Sequence, residues 1–179
     1  PQFILLENAY FIEYVVSIIE FIGYIILGFY INSKFNITTI RYADWFITTN
    51  MLLVSLSLFS LFNNIYYNPK FSETEKYEQL KKFDFHFIKQ EYGDIFLKIF
   101  AANTLMLIFG FLGELKYLDK YISLILGLFF FTLSFKYIFD NFIEYNFINY
   151  ITLGIFIFIW LLYAVAFLLD FNRKNIAYN

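Results

Sequence analysis

The chain has 179 residues, room for one domain rather than two. It is 60% hydrophobic and 25% aromatic, far above what a soluble domain carries. A net charge of −2 without any basic tract excludes nucleic-acid binding, and the lack of cysteine excludes disulfides and Cys-ligated metals.

Five apolar runs reach the roughly 20 residues needed to cross a bilayer. They cover about 9–31, 40–62, 95–113, 121–139 and 150–171. Most are separated by short polar joints, "NSKFN", "ELKYLD" and "DNFIEYN", and tight joints between long helices predict antiparallel neighbours. The fold class is therefore all-α, a polytopic membrane helix bundle, inserted as an integral multi-pass protein with the lipid bilayer as its first partner. The chain opens on Pro1 rather than Met and is expected to be a portion of a longer protein.

The first run carries Glu13, Ser17, Glu20 and Tyr24 at spacings of four, three and four, which places them on one helical face. Two carboxyls on a spanning helix suggest a proton or cation path; the alternative is that both stay protonated and bond neighbouring helices. The second run carries Arg41, Asp44, Thr48 and Ser55, which fall within a stripe roughly 60° wide at 100° per residue. A charge at mid-bilayer costs ~2.5–3.5 kcal/mol, so this stripe must face the bundle interior or a water-filled cavity. A purely structural Arg41–Asp44 ion pair is the competing reading.

The joint from Asn63 to Asp94 differs from the others in holding five lysines and six acids. Ser72 and Glu75 have capping-box spacing, and Tyr77, Leu80, Phe83 and Phe87 then recur every three or four residues. An amphipathic helix lying on the membrane surface is predicted there, with the lysines favouring the cytoplasmic side. In the third run Asn103, Met106 and Gly110 share a face, and in the fifth Trp160 and Tyr163 do. His86, the lone histidine, sits in the charged joint as a surface residue, and no metal site is expected. There is no HExxH, no P-loop and no nucleophile–base arrangement, so enzyme chemistry is not expected.

With these faces in place, "RYADWFITTNMLL" resembles the third-helix signature of the microbial (type 1) rhodopsins. "NTLMLIFGFLGE" (103–114) is similar to the family's fourth helix, Gly127 and Phe131 fit its fifth, "WLLYAVAFL" (160–168) its sixth, and "NIAYN" the entry to its seventh. The resemblance makes residues 1–179 a single transmembrane domain holding helices two to six, without the first helix and most of the seventh.

It implies all-trans retinal as cofactor, bound as a Schiff base to a seventh-helix lysine expected after Asn179. Lys136 lies on the wrong helix for that role and is read as snorkelling to an interface. Asp44 would be the Schiff-base counterion and proton acceptor, Arg41 would link it to the extracellular side, and Thr48 would bond near it. Tyr42, Trp45, Met106, Gly110, Trp160 and Tyr163 match the walls of the retinal pocket, with Gly127, Phe131 and Phe167 further along it. Thr49 and Asn103 match a polar pair between the family's third and fourth helices.

The departures also carry meaning. Asn50 and Ala164 stand where proline is usual, and Phe167 where tryptophan is common. Asp170 lies close to a position that often carries a release-group carboxylate. Ser55 replaces the carboxylic donor of outward pumps, and the Asp44–Thr48–Ser55 set resembles that of rhodopsins found in giant viruses. If the source is a virus, the membrane is a cellular one of its host. The implied activity is light-driven outward proton translocation, with reprotonation through water, Glu13 or Glu20. The alternatives are a light-gated cation channel lined by the Glu13/Glu20 stripe, or a photosensor signalling through a partner. Exposed aromatic faces permit a homo-oligomer.

Overall fold

The computed structural model describes residues 3–30, 37–144 and 146–169. Among them are six helices: α1 (Ile4–Tyr30), α2 (Ile37–Tyr66), α3 (Glu73–Lys81), α4 (Phe85–Glu114), α5 (Lys120–Phe142) and α6 (Phe147–Leu168). All but α3 are long and apolar enough to cross a membrane. Their exposed faces are apolar and aromatic, with Tyr14, Phe21, Phe129 and Phe158 among the outward side chains, as lipid contact requires.

The spans are longer than the apolar runs predict. The first begins at Ile4, α2 continues to Tyr66, and α4 begins at Phe85, so the 63–94 joint shrinks to residues 67–84 with α3 inside it. Apolarity is not what ends these helices. α2 runs without proline or glycine until Pro69 lies just beyond it. α4 starts where Asp84 accepts from the Phe87 N–H at 2.7 Å. α4 ends at Glu114, and Lys116 two residues on has a φ of 63°, in the left-handed region. Tyr117 N–H then reaches back to the Leu112 carbonyl at 2.9 Å and Lys116 N–H to that of Gly113, a Schellman closure.

The capping box predicted at Ser72 and Glu75 is present in α3, with each residue bonding the other's backbone N–H. These bonds hold the Glu75 carboxyl below its ordinary pKa. The cap is therefore complete above the ordinary glutamate range and is lost as pH falls through the lowered value. The amphipathic run is not one helix, however. α3 stops at Lys81, Phe83 lies in the linker, and Phe87 belongs to the first turn of α4. Leu80 and Phe83 are buried in the core, so α3 is docked on the ends of α1 and α2.

α2 is the axis of the bundle and touches every other helix. Half of its apolar window is buried, against 6% of α1's. α4 and α5 form the second tight pair, and Gly113 lets them close. A β-carbon there would lie 2.6 Å from Ser123 Cβ of α5 and 2.8 Å from Phe167 Cζ of α6. The Ser123 hydroxyl uses that approach to donate to the Phe109 carbonyl. At the same end, Lys120 Nζ donates to the last carbonyls of α6, at Leu168, 2.6 Å away.

Gly113→Ala is expected to cost about 1–3 kcal/mol by overpacking. Gly154→Ala, at a helix position with nothing within 4 Å, is expected to be neutral or stabilising by up to about 1 kcal/mol. Thermal unfolding in detergent would check both; equal midpoints for the two variants would contradict the close approach.

Candidate functional site

The polar residues of α2 point where the stripe predicts. Arg41, Thr48 and Ser55 are buried, and Asp44 is half-buried beside them. Burying a hydroxyl on a helix is inexpensive when it bonds the carbonyl four residues back. Thr48 Oγ1 donates in this way to the Asp44 carbonyl at 3.1 Å and Thr49 Oγ1 to that of Trp45 at 2.6 Å.

Asp44 is different. Its Oδ1 is buried and accepts no hydrogen bond. A β-carbon on Gly23 of α1 would lie 3.5 Å from Asp44 Cγ, so the carboxyl is packed against the α1 backbone. One turn earlier on α1, Glu20 is within electrostatic reach of both Asp44 and Glu13. The two stripes that are separate in the sequence therefore face each other at this point.

A cavity lies beside this meeting place, and most of the predicted pocket residues line it. α2 supplies Tyr42, Trp45, Thr48 and Thr49; α4 supplies Met106 and Gly110; α5 supplies Gly127 and Phe131. α6 closes it with Trp160, Tyr163 and Phe167, and Glu20 reaches it from α1. The aromatic walls interlock edge to face: Trp45 with Tyr163 at 5.2 Å and 77°, and Trp160 with Phe135 at 5.4 Å and 89°. Gly110 is small because Tyr42 leans over it; a β-carbon there would sit 2.8 Å from the phenol oxygen. Leu52, Leu107, Ser123, Leu124, Leu128, Leu161 and Ala164 also line the cavity and were not predicted as wall. Ser123 and Leu124 lie one turn before Gly127 on its own face of α5, a periodic signal that could have found them.

Several predicted residues stand elsewhere. Asn103 is fully buried behind Thr49, to which its Nδ2 donates at 2.8 Å. The same Nδ2 donates to Asn50 Oδ1 at 3.0 Å, while Asn50 Nδ2 bonds the Phe46 carbonyl at 2.9 Å. Asn50, in the position of the usual proline, thus makes the Thr49–Asn103 pair a three-residue cluster. Ser55 and Glu13 border a second cavity between α1, α2 and α6, where Ser55 Oγ donates to the Ala9 carbonyl at 3.4 Å. Asp170 and the "NIAYN" segment lie outside the described residues.

The bundle and its aromatic-lined cavity define a polytopic membrane protein with a site for an apolar ligand. The chain belongs to the bacteriorhodopsin-like family, whose model matches residues 5–178. The crystal structure of the viral rhodopsin OLPVRII shares the fold, with a TM-score of 0.75 over 97% of this chain and 74% of that one, at 22% identity. No curated protein matches the chain. Retinal, held as a Schiff base to a lysine, is the cofactor of this family, and its members are light-activated pumps, channels or sensors rather than enzymes.

The residues present fit that cofactor. The walls are largely apolar and aromatic, as a polyene requires, and α2, which supplies Trp45 and Thr48 to them, also carries the unsatisfied Asp44 oxygen that a cationic imine would compensate. Among the described residues no lysine lines the cavity. Lys136 is exposed on α5 and ion-paired with Asp140, in keeping with a snorkelling role.

The Asn103–Thr49 bond yields a measurable coupling. A double-mutant cycle of Thr49→Val and Asn103→Ala should return roughly 0.5–1.5 kcal/mol in denaturant unfolding from mixed micelles. Simple additivity of the two substitutions would show that the bond contributes nothing.

Proposed function

We propose that the chain is the greater part of a light-driven outward proton pump, with Asp44 as counterion and proton acceptor. In this reading residues 1–179 form one transmembrane unit holding helices two to six of the seven-helix fold, and the attachment lysine lies beyond Asn179. The observation that carries it is Asp44 Oδ1, buried without a hydrogen bond, with its carboxyl against the α1 backbone and next in sequence to Trp45 of the cavity wall. An unsatisfied buried acceptor costs about 1–3 kcal/mol, and more when charged, so in this reading its partner is the cofactor's cation, directly or through a bridging water.

Trp45, Trp160 and Tyr163 would hold retinal, which when bound would supply a protonated imine and a light-dependent change in its proton affinity. Asp44 receives the proton, Arg41 on the same buried face offers positive charge toward the extracellular end, and Thr48 secures the Asp44 backbone through its carbonyl. Trp45, Trp160 and Tyr163 exclude water from the polyene. Reprotonation enters from the other end, where Ser55 takes the place of a carboxylic donor and Glu13 shares its cavity.

One observation supports a channel as the second reading: Glu13 borders one cavity and Glu20 the other, so the α1 carboxyls run between them. Adding all-trans retinal to the protein with its attachment lysine should produce a visible absorption band, shifted to longer wavelength by Asp44→Asn. Illuminated cells should acidify their medium, and a protonophore or Asp44→Asn should abolish the signal. Photocurrents that instead reverse sign with the cation gradient would overturn pumping in favour of a channel. Neither signal, with a long-lived spectral intermediate, would leave a sensor.

A further inference from the structure

The stripe of α2 that carries Arg41 and Asp44 is not its only polar face. Asn50, Ser57, Ser60 and Asn64 follow at spacings of seven, three and four, within roughly 80° on the opposite side of the helix. This second stripe meets α4, α5 and α6. Asn50 Oδ1 accepts from Asn103 at 3.0 Å, Asn64 Nδ2 donates to the Phe142 carbonyl at 3.0 Å, and the Ser60 carbonyl accepts from Asn149 at 3.1 Å. Between Asn50 and Ser57 the same face of α2 offers the buried Leu53 and no polar side chain.

Besides Asp44 Oδ1, two buried side-chain atoms of the described residues have no hydrogen bond, and both stand beside that gap. Asn103 of α4 is 0% exposed; its Nδ2 is spent on Thr49 and Asn50, and its Oδ1 accepts nothing. Ser134 of α5 is 1% exposed, and its hydroxyl has no partner. Thr48, Thr49, Ser57, Ser60 and Thr152 each turn the hydroxyl onto the carbonyl four residues back, and Ser134 does not.

Two contacts fix the antiparallel register of α4 and α5. A β-carbon on Gly127 would lie 3.9 Å from the Met106 carbonyl oxygen, and Phe142 packs on Tyr92 and Phe96 at 5.2 and 5.3 Å. Seven residues on from the first contact and eight back from the second, Ser134 is level with the stretch 99–104 of α4, which contains Asn103. Gly127 and Ser134, seven apart, share the α5 face that meets α4, while Asn103 and Met106, three apart, are neighbours on α4. The two unsatisfied atoms therefore stand in one layer of the core, between α2, α4 and α5, without bonding each other.

We propose that this layer binds a resident water molecule, which donates to Asn103 Oδ1 and is held on its other side by the Ser134 hydroxyl. Buried waters sit where polar groups are otherwise unpaired, and two such groups are enough to hold one. Both partners are neutral, which suits water better than a cation. Leu53, Ile99 and Phe135 of the same three helices are themselves buried, so the water belongs to the closed bundle. It extends a chain of bonds that starts at the retinal cavity: Thr49 Oγ1, on the wall, donates to the Trp45 carbonyl and accepts from Asn103. Through the water that chain reaches α5, in the gap between Asn50 and Ser57.

A crystal structure at a resolution that shows ordered water should have a peak about 2.7–3.2 Å from both atoms. Ser134→Ala should remove the peak, and Ser134→Thr, which keeps the hydroxyl, should retain it. In denaturant unfolding from mixed micelles, Ser134→Ala and Asn103→Ala should be coupled, although the two side chains do not bond directly. The unfolding constant of the double variant should depart from the product of the single effects by about three- to tenfold. Independent effects, or a Ser134 hydroxyl turned onto the Phe130 carbonyl with no peak beside it, would overturn the site. The crystallographic comparison decides the matter if Asn103→Ala does not fold. Neither measurement needs retinal or transport, so both stand apart from the ion-translocation reading.

Discussion

The structure depends on one constraint, that a polar side chain inside a bilayer must bring or find its partner. α2 carries most of that burden. Its serines and threonines mostly satisfy themselves: Thr48, Thr49, Ser57 and Ser60 each donate to the carbonyl four residues back. Its amides cannot do so fully, because each brings two donors and an acceptor. Asn50, Asn63 and Asn64 therefore reach out to α4, α5 and α6, and α2 becomes the axis to which the other helices are tied. Only after this census does Asp44 stand out, as the side chain of α2 whose buried oxygen has neither an internal nor a neighbouring donor.

Close approach makes these ties reachable. Gly23 admits the Asp44 carboxyl to the α1 backbone, Gly110 admits the Tyr42 ring to α4, and Gly113 admits Ser123. Without apolar driving force between helices in lipid, such small-residue contacts and interhelical bonds carry association. The aromatic residues then fill what the glycines leave, and their edge-to-face geometry sets the cavity walls.

How much of this was legible follows from the same physics. The five spans and the buried face of Arg41, Asp44, Thr48 and Ser55 could be read because bilayer thickness and the helical repeat act on the sequence directly. The span ends could not. A run of apolar residues marks where lipid is, whereas caps and proline mark where the helix stops, and Asn63–Asn64 at the end of an apolar run reads as a joint. Asn63 is instead buried and Asn64 half-buried, because Asn146 and Asn149 come from 83 and 86 residues away to meet Asn63. The Thr49–Asn103 pair was readable from the family resemblance, while Asn50 looked like a mere lost proline. Its role as a third member depends on a side-chain orientation that spacing does not encode.

The division into two cavities bears on mechanism. Thr48 lines the first and Ser55 borders the second, seven residues apart on one helix, a separation of about 10 Å at 1.5 Å per residue. The intervening face of α2 is leucine, with Leu52 on the wall of the first cavity and Leu56 on the wall of the second. No single hydrogen bond spans that distance, so a proton passing from Ser55 to Asp44 needs an intermediate carrier. On the facing helix, Glu13 and Glu20 are separated by the same seven residues and border the same two cavities. The α1 carboxyls therefore parallel the gap in the α2 stripe. In a pump they would relay protons across the leucine layer, and in a channel they would line it. Which of the two occurs depends on whether both cavities are open to water at once.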